Sequence, residues 1–378
     1  MASKKILIVG GGIAGLTLAI SLTRCGIACE MIESNPQWGV YGVGIILQSN
    51  ALRALETLGL AQRCLDAGFP YSTTRYYDAK GQFVRERTKP NLSGDRFASS
   101  TGVLRPVLHD ILRTEALALN VPVRLGLTVS RLEQAGARVD VTFSDASVGS
   151  YDLVVGADGV RSEMRRTVFG AEHQPTFMGQ ACWRFTADRP AEVPCAVMYA
   201  GTQTQAGLIP LTQDKMYLLL LTAEPGNPRL ERDSLRGMLA ERLGEYGGLI
   251  GELARALPDS SDIVYSPLEP LLMPAPWHRG RVVLVGDAAH ATTPHIAQGA
   301  SMAFEDAVVL SELLGEAPSI DQALQAYTAR RWERCRLIVH NSLQIGRWQL
   351  QAWEGKPDPQ ADIVTLSNQT LEALRAPI

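Results

Sequence analysis

The stretch Ile6-Leu7-Ile8-Val9-Gly10-Gly11-Gly12-Ile13-Ala14-Gly15 opens on a short apolar run, breaks at glycines and leads into apolar residues at helical spacing, notably Leu16, Ala19, Ile20 and Thr23. Gly26 stops that helix, and a second short apolar run, Ala28 to Ile32, closes at Glu33. Strand, glycine turn, helix, strand and acid make one βαβ unit, the unit that binds a dinucleotide. The three spaced glycines have separable duties. Gly10 permits the tight turn, Gly12 lets the backbone approach a pyrophosphate, and Gly15 lets the helix pack closely on the sheet. The first helical amides, from Ile13 and Ala14, then meet the phosphates, and Glu33 can accept the hydroxyls of an adenosine ribose.

Two later segments extend this site. Asp152 to Arg161 carries a buried strand into Gly156-Ala157-Asp158-Gly159, and Arg281 to Val285 runs into Gly286-Asp287-Ala288-Ala289-His290. Ligands lie outside the carboxyl ends of parallel strands, so Asp158 and Asp287 are expected at the same crevice as the first glycine turn. A cofactor running from Glu33 through a pyrophosphate to Asp287 has the length of FAD, whereas a nicotinamide nucleotide would leave the Gly286-Asp287 segment unused. Asp287 is a good acceptor for ribityl hydroxyls. The helix beginning at Gly299 and Ala300, after Gln298, aims its positive end at a reduced isoalloxazine.

The 378 residues exceed the usual ceiling for one growing core. The remaining pattern supplies a second unit: strand-like runs at Cys182 to Thr186, Ala196 to Ala200, Gly207 to Leu211 and Met216 to Thr222, interrupted by helix between Ser234 and Ala256. A hairpin is expected around Asp78-Ala79-Lys80-Gly81, and long helices at Gly299 to Leu314 and Ile320 to Trp353. The expected fold is α/β, a Rossmann-like dinucleotide-binding domain interleaved with a smaller substrate domain containing a mainly antiparallel sheet, plus C-terminal helices. The boundaries read as 1–70, 101–175 and 276–320 for the FAD-binding domain, 71–100 and 176–275 for the substrate domain, and 321–378 for the helices and tail.

A formal charge of −3 gives no basic surface for nucleic acid. No apolar run approaches a membrane span, and the N-terminus lacks a signal-peptide core, so a cytoplasmic location is expected. The six cysteines are scattered; Cys25 and Cys29 have no second pair or nearby histidine to complete a metal site. No metal is expected.

With these motifs in place, the chain up to about Leu350 resembles the flavoprotein aromatic hydroxylases, the single-component FAD-dependent monooxygenases related to 4-hydroxybenzoate and salicylate hydroxylase. Three signatures carry the resemblance: Gly10 to Glu33, the Asp158-Gly159 segment ending in Arg161-Ser162, and Gly286 through Asp306. The resemblance implies that NADH or NADPH reduces FAD, that a flavin C4a-hydroperoxide forms with dioxygen, and that one oxygen atom enters a small aromatic or N-heteroaromatic ring. It places Arg105 at the cofactor's phosphate and ribityl region, Gln48 in a loop near the isoalloxazine, and Asp158 near the transient nicotinamide site. One departure is Ala297-Gln298-Gly299, where many relatives have Gly-Gln-Gly.

On the substrate side, His295 after Pro294 is expected beside the flavin, binding a substrate carboxylate, tuning a phenol, or merely hydrogen-bonded to backbone at the pocket rim. Arg184 reads as a partner for an acidic substrate or a solvent-facing cation. Tyr217 reads as a donor to a substrate hydroxyl or an interior tyrosine. Leu208, Pro210, Leu219 and Met198 are pocket lining or plain core. Competing readings of the same fold are a flavin oxidase or dehydrogenase, a prenyl-chain reductase, and a non-catalytic flavin-binding protein. Monomer and homodimer are both compatible with the sequence.

Overall fold

The computed structural model describes residues 4–40 and 42–378. Its central sheet has six strands in the order His278–Arg279, Val282–Leu284, Leu153–Gly156, Lys5–Val9, Ala28–Glu33 and Val123–Leu125. All neighbours pair in parallel except the short edge strand His278–Arg279. Ile6, Leu7 and Ile8 are fully buried because helix Ile13–Arg24 and a three-stranded antiparallel sheet, Val129–Ala135, Arg138–Phe143 and Val148–Tyr151, both pack on this sheet, which explains a continuous apolar run in place of alternation. The chain leaves Lys5–Val9 toward Ala28–Glu33 on one side and returns as Leu153–Gly156 on the other. The crevice at that reversal holds the glycine turn.

Helix Ile13–Arg24 packs against Gly299–Glu316, which in turn packs against the 34-residue helix Ile320–Trp353. Among the described residues no helix is long and apolar enough to cross a membrane.

A second sheet of seven strands runs Val264–Pro267, Gln180–Asp188, Lys215–Ala223, Thr204–Pro210, Ala196–Ala200, Thr73–Asp78 and Phe83–Thr88. It is antiparallel apart from the pairing of Ala196–Ala200 with Thr73–Asp78. Its two faces separate cleanly along Lys215–Ala223. Met216, Leu218 and Leu220 join a core with Leu235, Leu239, Leu243 and Ile250 of the covering helices, while Tyr217, Leu219 and Leu221 face the other way.

The segment around Gln48 is a strand where a loop was expected. Gly44–Gln48 pairs antiparallel with Ser100–Leu104, which also pairs with Phe69–Tyr71. This small sheet joins the two larger ones: Gly44 lies against Leu211 and Tyr217, where a Cβ would come within 2.6 Å of both side chains.

Candidate active site

The glycine turn has the geometry its spacing calls for. Gly10 sits at φ +114°, and a Cβ there would meet the Ala157 carbonyl oxygen at 2.5 Å. A Cβ on Gly15 would lie 1.9 Å from the Gly10 carbonyl oxygen, so only glycine lets the helix approach. Gly12 is different: no protein atom lies within 4 Å of where its Cβ would be, and the space is open toward the crevice. The amides of Ile13 and Ala14 are in the first turn of the helix, where no intrahelical acceptor exists. A cradle with free donors and no side chain in the way fits a pyrophosphate.

Glu33 accepts the Gly11 amide at 2.7 Å and the Asn35 amide at 2.7 Å, one on each carboxylate oxygen, leaving lone pairs for hydroxyls. Two residues not anticipated from the sequence hold the same peptide from its other side. The Gly11 carbonyl accepts from Trp38 Nε1 at 2.9 Å and from His109 Nε2 at 2.9 Å. A carbonyl only accepts, so His109 carries its proton on Nε2. With both ends tied, the Gly11 peptide is fixed before any cofactor arrives.

Further along the crevice, Arg105 begins helix Arg105–Ala118 and crosses Gly42, where a Cβ would lie 2.8 Å from Arg105 Cδ. Its Nε is buried and has no hydrogen-bond partner among the described residues. Asp287 starts helix Asp287–His290 and opens onto the crevice, yet protein surrounds it. Burial raises its pKa, opposed by His290 and Arg105. An unpartnered cation and an acid on one crevice suit a phosphate and a polyol. Gly286, at φ +60°, packs a virtual Cβ 3.0 Å from Ala14, bringing the two glycine segments together. The helix start at Gly299 and Ala300 supplies further unpaired amides.

Asp158 is differently employed. Its carboxylate accepts from Ser162 Oγ at 2.5 Å and from the Met164 amide at 2.9 Å, capping helix Glu163–Phe169. The Gln298 side chain also turns into the protein: its Nε2 donates to Gln48 Oε1 at 2.9 Å and its Oε1 accepts from Asn50 Nδ2 at 3.0 Å. Gln48 in turn donates to the carbonyls of Ile296 and Ala297. Gln48 and Gln298 therefore fasten the loop Pro294–Ala297 from behind, and Ala297 holds φ +55° within it.

Behind that loop lies a buried ionic cluster. Arg331 donates to Asp306 at 2.9 Å and to Glu305 at 2.7 Å, Arg334 donates to Glu305 at 2.7 Å, and His290 lies 2.7 Å from Asp306. Burial opposes ionisation of Asp306, but His290 and Arg331 outweigh it and hold the carboxyl at about 2. His290 is likewise kept protonated by Asp306 against the effect of burial. His290, Asp306 and Cys335 offer ligand atoms within 4.8 Å of one another. Arg331 already supplies a cation there, which opposes a metal ion.

The second sheet roofs the cleft with rows of paired residues. Ile209, Tyr217 and Thr186 form one row; Met198, Gly207, Leu219 and Arg184 the next; Ala200, Gln205, Leu221 and Cys182 a third. Leu219 and Met198 thus face the cleft, whereas Leu208 belongs to the helix-covered core. Pro210 stays in the sheet, its carbonyl pressed on Gly102. Arg184 Nε is buried without a partner among the described residues, and Tyr217 is buried close enough for Arg184 to oppose the upward pull of burial on its phenol.

Pro294 is exposed on the loop beneath. His295 is not free: its Nδ1 lies 2.8 Å from Thr293 Oγ1, and its Nε2 lies 3.1 Å from Gln349 Oε1. Burial lowers its pKa to about 4, so it is neutral at pH 7. Gln349, from the long helix, also accepts from Gln180 at 3.2 Å and donates to Gln205 at 2.8 Å.

Residues 3–342 match the family described as FAD binding domain. The chain is 34% identical over 352 residues to 2-heptyl-3-hydroxy-4(1H)-quinolone synthase of Pseudomonas aeruginosa, covering 92% of this chain and 90% of that protein. It is 31% identical to aurachin C monooxygenase/isomerase of Stigmatella aurantiaca, again over 92% and 90% of the two chains. The crystal structure of Klebsiella pneumoniae HpxO complexed with FAD and uric acid superposes with a TM-score of 0.83 at 26% identity, covering 98% of this chain and 92% of that one.

The chain belongs to the FAD-dependent aromatic monooxygenases.

It is accordingly a flavoprotein enzyme that uses FAD, with NADH or NADPH as electron donor, to oxygenate an aromatic or heteroaromatic compound. The oxidase, reductase and non-catalytic readings give way to this one. Within the monooxygenase, Trp38, His109, Gln180, Gln205 and Gln349 are the polar residues the sequence did not flag. Only for His109 was a signal present: a buried position on an amphipathic helix directly after Arg105.

Proposed function

We propose that the enzyme hydroxylates an N-heteroaromatic ring bearing an acidic hydroxyl or tautomeric oxo group. The observation that carries this is Arg184: a buried guanidinium nitrogen without a partner among the described residues, on the cleft face near Tyr217. A substrate oxyanion would satisfy it with a charge-assisted hydrogen bond. Holding the ring as its anion enriches electron density at the carbon to be oxygenated. Tyr217 keeps its proton, because burial raises its pKa, and so serves as a donor to the same oxygen. His295, being neutral and tied to Thr293 and Gln349, sets the position of Pro294 and does not act as a carboxylate clamp. The relatives' names support the ring class, since quinolone and urate are both nitrogen heterocycles with oxo groups.

Bound FAD supplies electron transfer from the nicotinamide donor and activation of dioxygen. The residues assigned to hold it are Gly10, Gly12, Ile13, Ala14 and Gly15 for the pyrophosphate, Glu33 for the ribose, Arg105 and Asp287 for the phosphate and ribityl chain, and Gly286, Gly299 and Ala300 at the ring. Gln48, Asp158 and Gln298 support those segments through side-chain bonds within the protein. We assign segments 1–70, 101–175 and 276–320 to FAD, 71–100 and 176–275 to the substrate, and 321–378 to closing the cleft. This division follows the two large sheets. All these residues come from one chain, so a monomer or a homodimer would serve equally, and a cytoplasmic setting would keep the nicotinamide donor reduced.

The test is oxygen-dependent NADH and NADPH consumption by the FAD-loaded protein across hydroxypyridines, hydroxyquinolines, quinolones, purines and hydroxybenzoates, with product and peroxide measured together. Stimulation with coupled product is expected for the nitrogen heterocycles. Coupled turnover confined to benzoates would overturn the ring assignment.

A further inference from the structure

A cavity of about 400 Å³ opens beyond the third row of the cleft roof, between the sheet and the end of helix Ile320–Trp353. Its volume lies within the roughly 300–1,000 Å³ typical of small-ligand sites. Trp348, Ala352 and Trp353 from the helix and Ile363 from the tail give it mostly apolar walls, while Gln205 and Gln349 stand in its wall. The indole N–H of Trp348 donates to Asp358 at 3.0 Å, leaving the ring face without a polar demand. Ile363 is 37% exposed, an apolar side chain on the rim with water as its neighbour.

The cavity adjoins the sheet face that roofs the substrate cleft. Trp353 packs against the cluster containing Leu221 and Leu219, and Leu219 belongs to the same row as Arg184. Successive rows on one face of a sheet are about 7 Å apart, the length of two residues of strand. Gln205 stands in the third row and in the cavity wall, and Gln349 joins it to His295 on the flavin loop. A substituent running along the sheet from a ring held at Arg184, past the third row, would reach this apolar space.

We propose that the cavity receives a linear hydrocarbon chain carried by the substrate ring, so that the preferred substrate is an alkylated heterocycle. The inference rests on the heteroaromatic reading of the cleft given above. An unsubstituted ring would leave Trp348, Trp353 and Ile363 facing water; a chain of several methylenes would remove that apolar surface from solvent.

The experiment uses the FAD-loaded enzyme and 4-quinolones bearing 2-alkyl chains from none to nonyl. It records KM from nicotinamide oxidation and Kd from perturbation of the flavin absorbance. Affinity is expected to rise roughly two- to fourfold per methylene, then level off once the cavity is full. Ala352→Trp, which fills the cavity, should flatten that slope, and Trp353→Ala should move the plateau to longer chains. Flavin content and the far-ultraviolet spectrum establish that each variant is folded. If the unsubstituted ring is hydroxylated but affinity is independent of chain length, this inference fails alone. A chain-length slope that both variants leave untouched also overturns it. If no quinolone in the series perturbs the flavin or stimulates oxidation, the heteroaromatic reading fails and this inference falls with it.

Discussion

Two groups of buried polar side chains flank the flavin crevice, and they differ in where their partners lie. In the cluster behind the Pro294 loop, Glu305, Asp306, Arg331 and Arg334 satisfy one another within the protein, and His290 joins them through Nε2. Across the crevice, Arg105 and Arg184 each bury an Nε that no described residue satisfies, and Gln180 buries an Oε1 in the same condition. An unsatisfied buried polar group costs about 1–3 kcal/mol. Where such a group faces a crevice, a ligand can complete it. The closed cluster lies behind the Pro294 loop; the open set is the part we propose to bind.

Breaking the closed cluster should have the largest effect on stability. Arg331→Met leaves Glu305 and Asp306 buried with reduced compensation, and the expected loss is about 3–5 kcal/mol in urea unfolding of the holoenzyme. A loss under about 1 kcal/mol would remove the distinction drawn here. The glycine turn offers the next contrast. Gly12→Ala introduces a methyl only into open crevice, so the apoprotein should fold normally while FAD binds about 2–3 kcal/mol more weakly, read by flavin fluorescence titration. Gly15→Ala, with its 1.9 Å clash, should instead impair folding.

Arg184→Met tests the open set. Removing a charge-assisted contact of roughly 1.5–3 kcal/mol should lower kcat/KM about ten- to hundredfold while leaving thermal stability and flavin content near those of the native enzyme. Should stability fall with activity, Arg184 would belong with the closed cluster.

The last contrast is a pH dependence. His295 has a folded pKa of about 4 against an ordinary 6.5, so below pH 6.5 the unfolded chain takes up the proton first. Stability should therefore fall as pH drops from 6.5 toward 4, by at most about 1.4 kcal/mol per pH unit. His290, whose pKa is raised, contributes its dependence only above 6.5, so the two windows are separate. His109 and His278 are also shifted downward, so the contribution of His295 is the difference between native protein and His295→Gln in urea unfolding at pH 7 and pH 5.

The nucleotide crevice was legible in the sequence because its elements are local. Ile6 to Glu33 encode strand, turn, helix and acid within thirty residues or so, and each glycine answers to one steric requirement. Helix Ile320–Trp353 was equally plain from its periodicity. The relay from Thr293 through His295 and Gln349 to Gln205 was not, since its members lie on three separate elements and glutamine carries no pattern of its own. Gln298 shows the same limit: its position was foreseeable, but only packing against Gln48 and Asn50 turns its amide inward. The strand Gly44–Gln48 was missed because its partner, Ser100–Leu104, lies about fifty residues away.

The most direct test of the account supplies isotopically labelled dioxygen to the FAD-loaded enzyme with a quinolone or hydroxypyridine and follows the label by mass spectrometry, comparing native protein with Arg184→Met. The account predicts one labelled oxygen atom in the ring product, oxidation of one nicotinamide per product, and a sharp loss of product in the variant that retains its flavin. Labelled peroxide as the sole product across the heterocycles, or a variant as productive as the native enzyme, would contradict it.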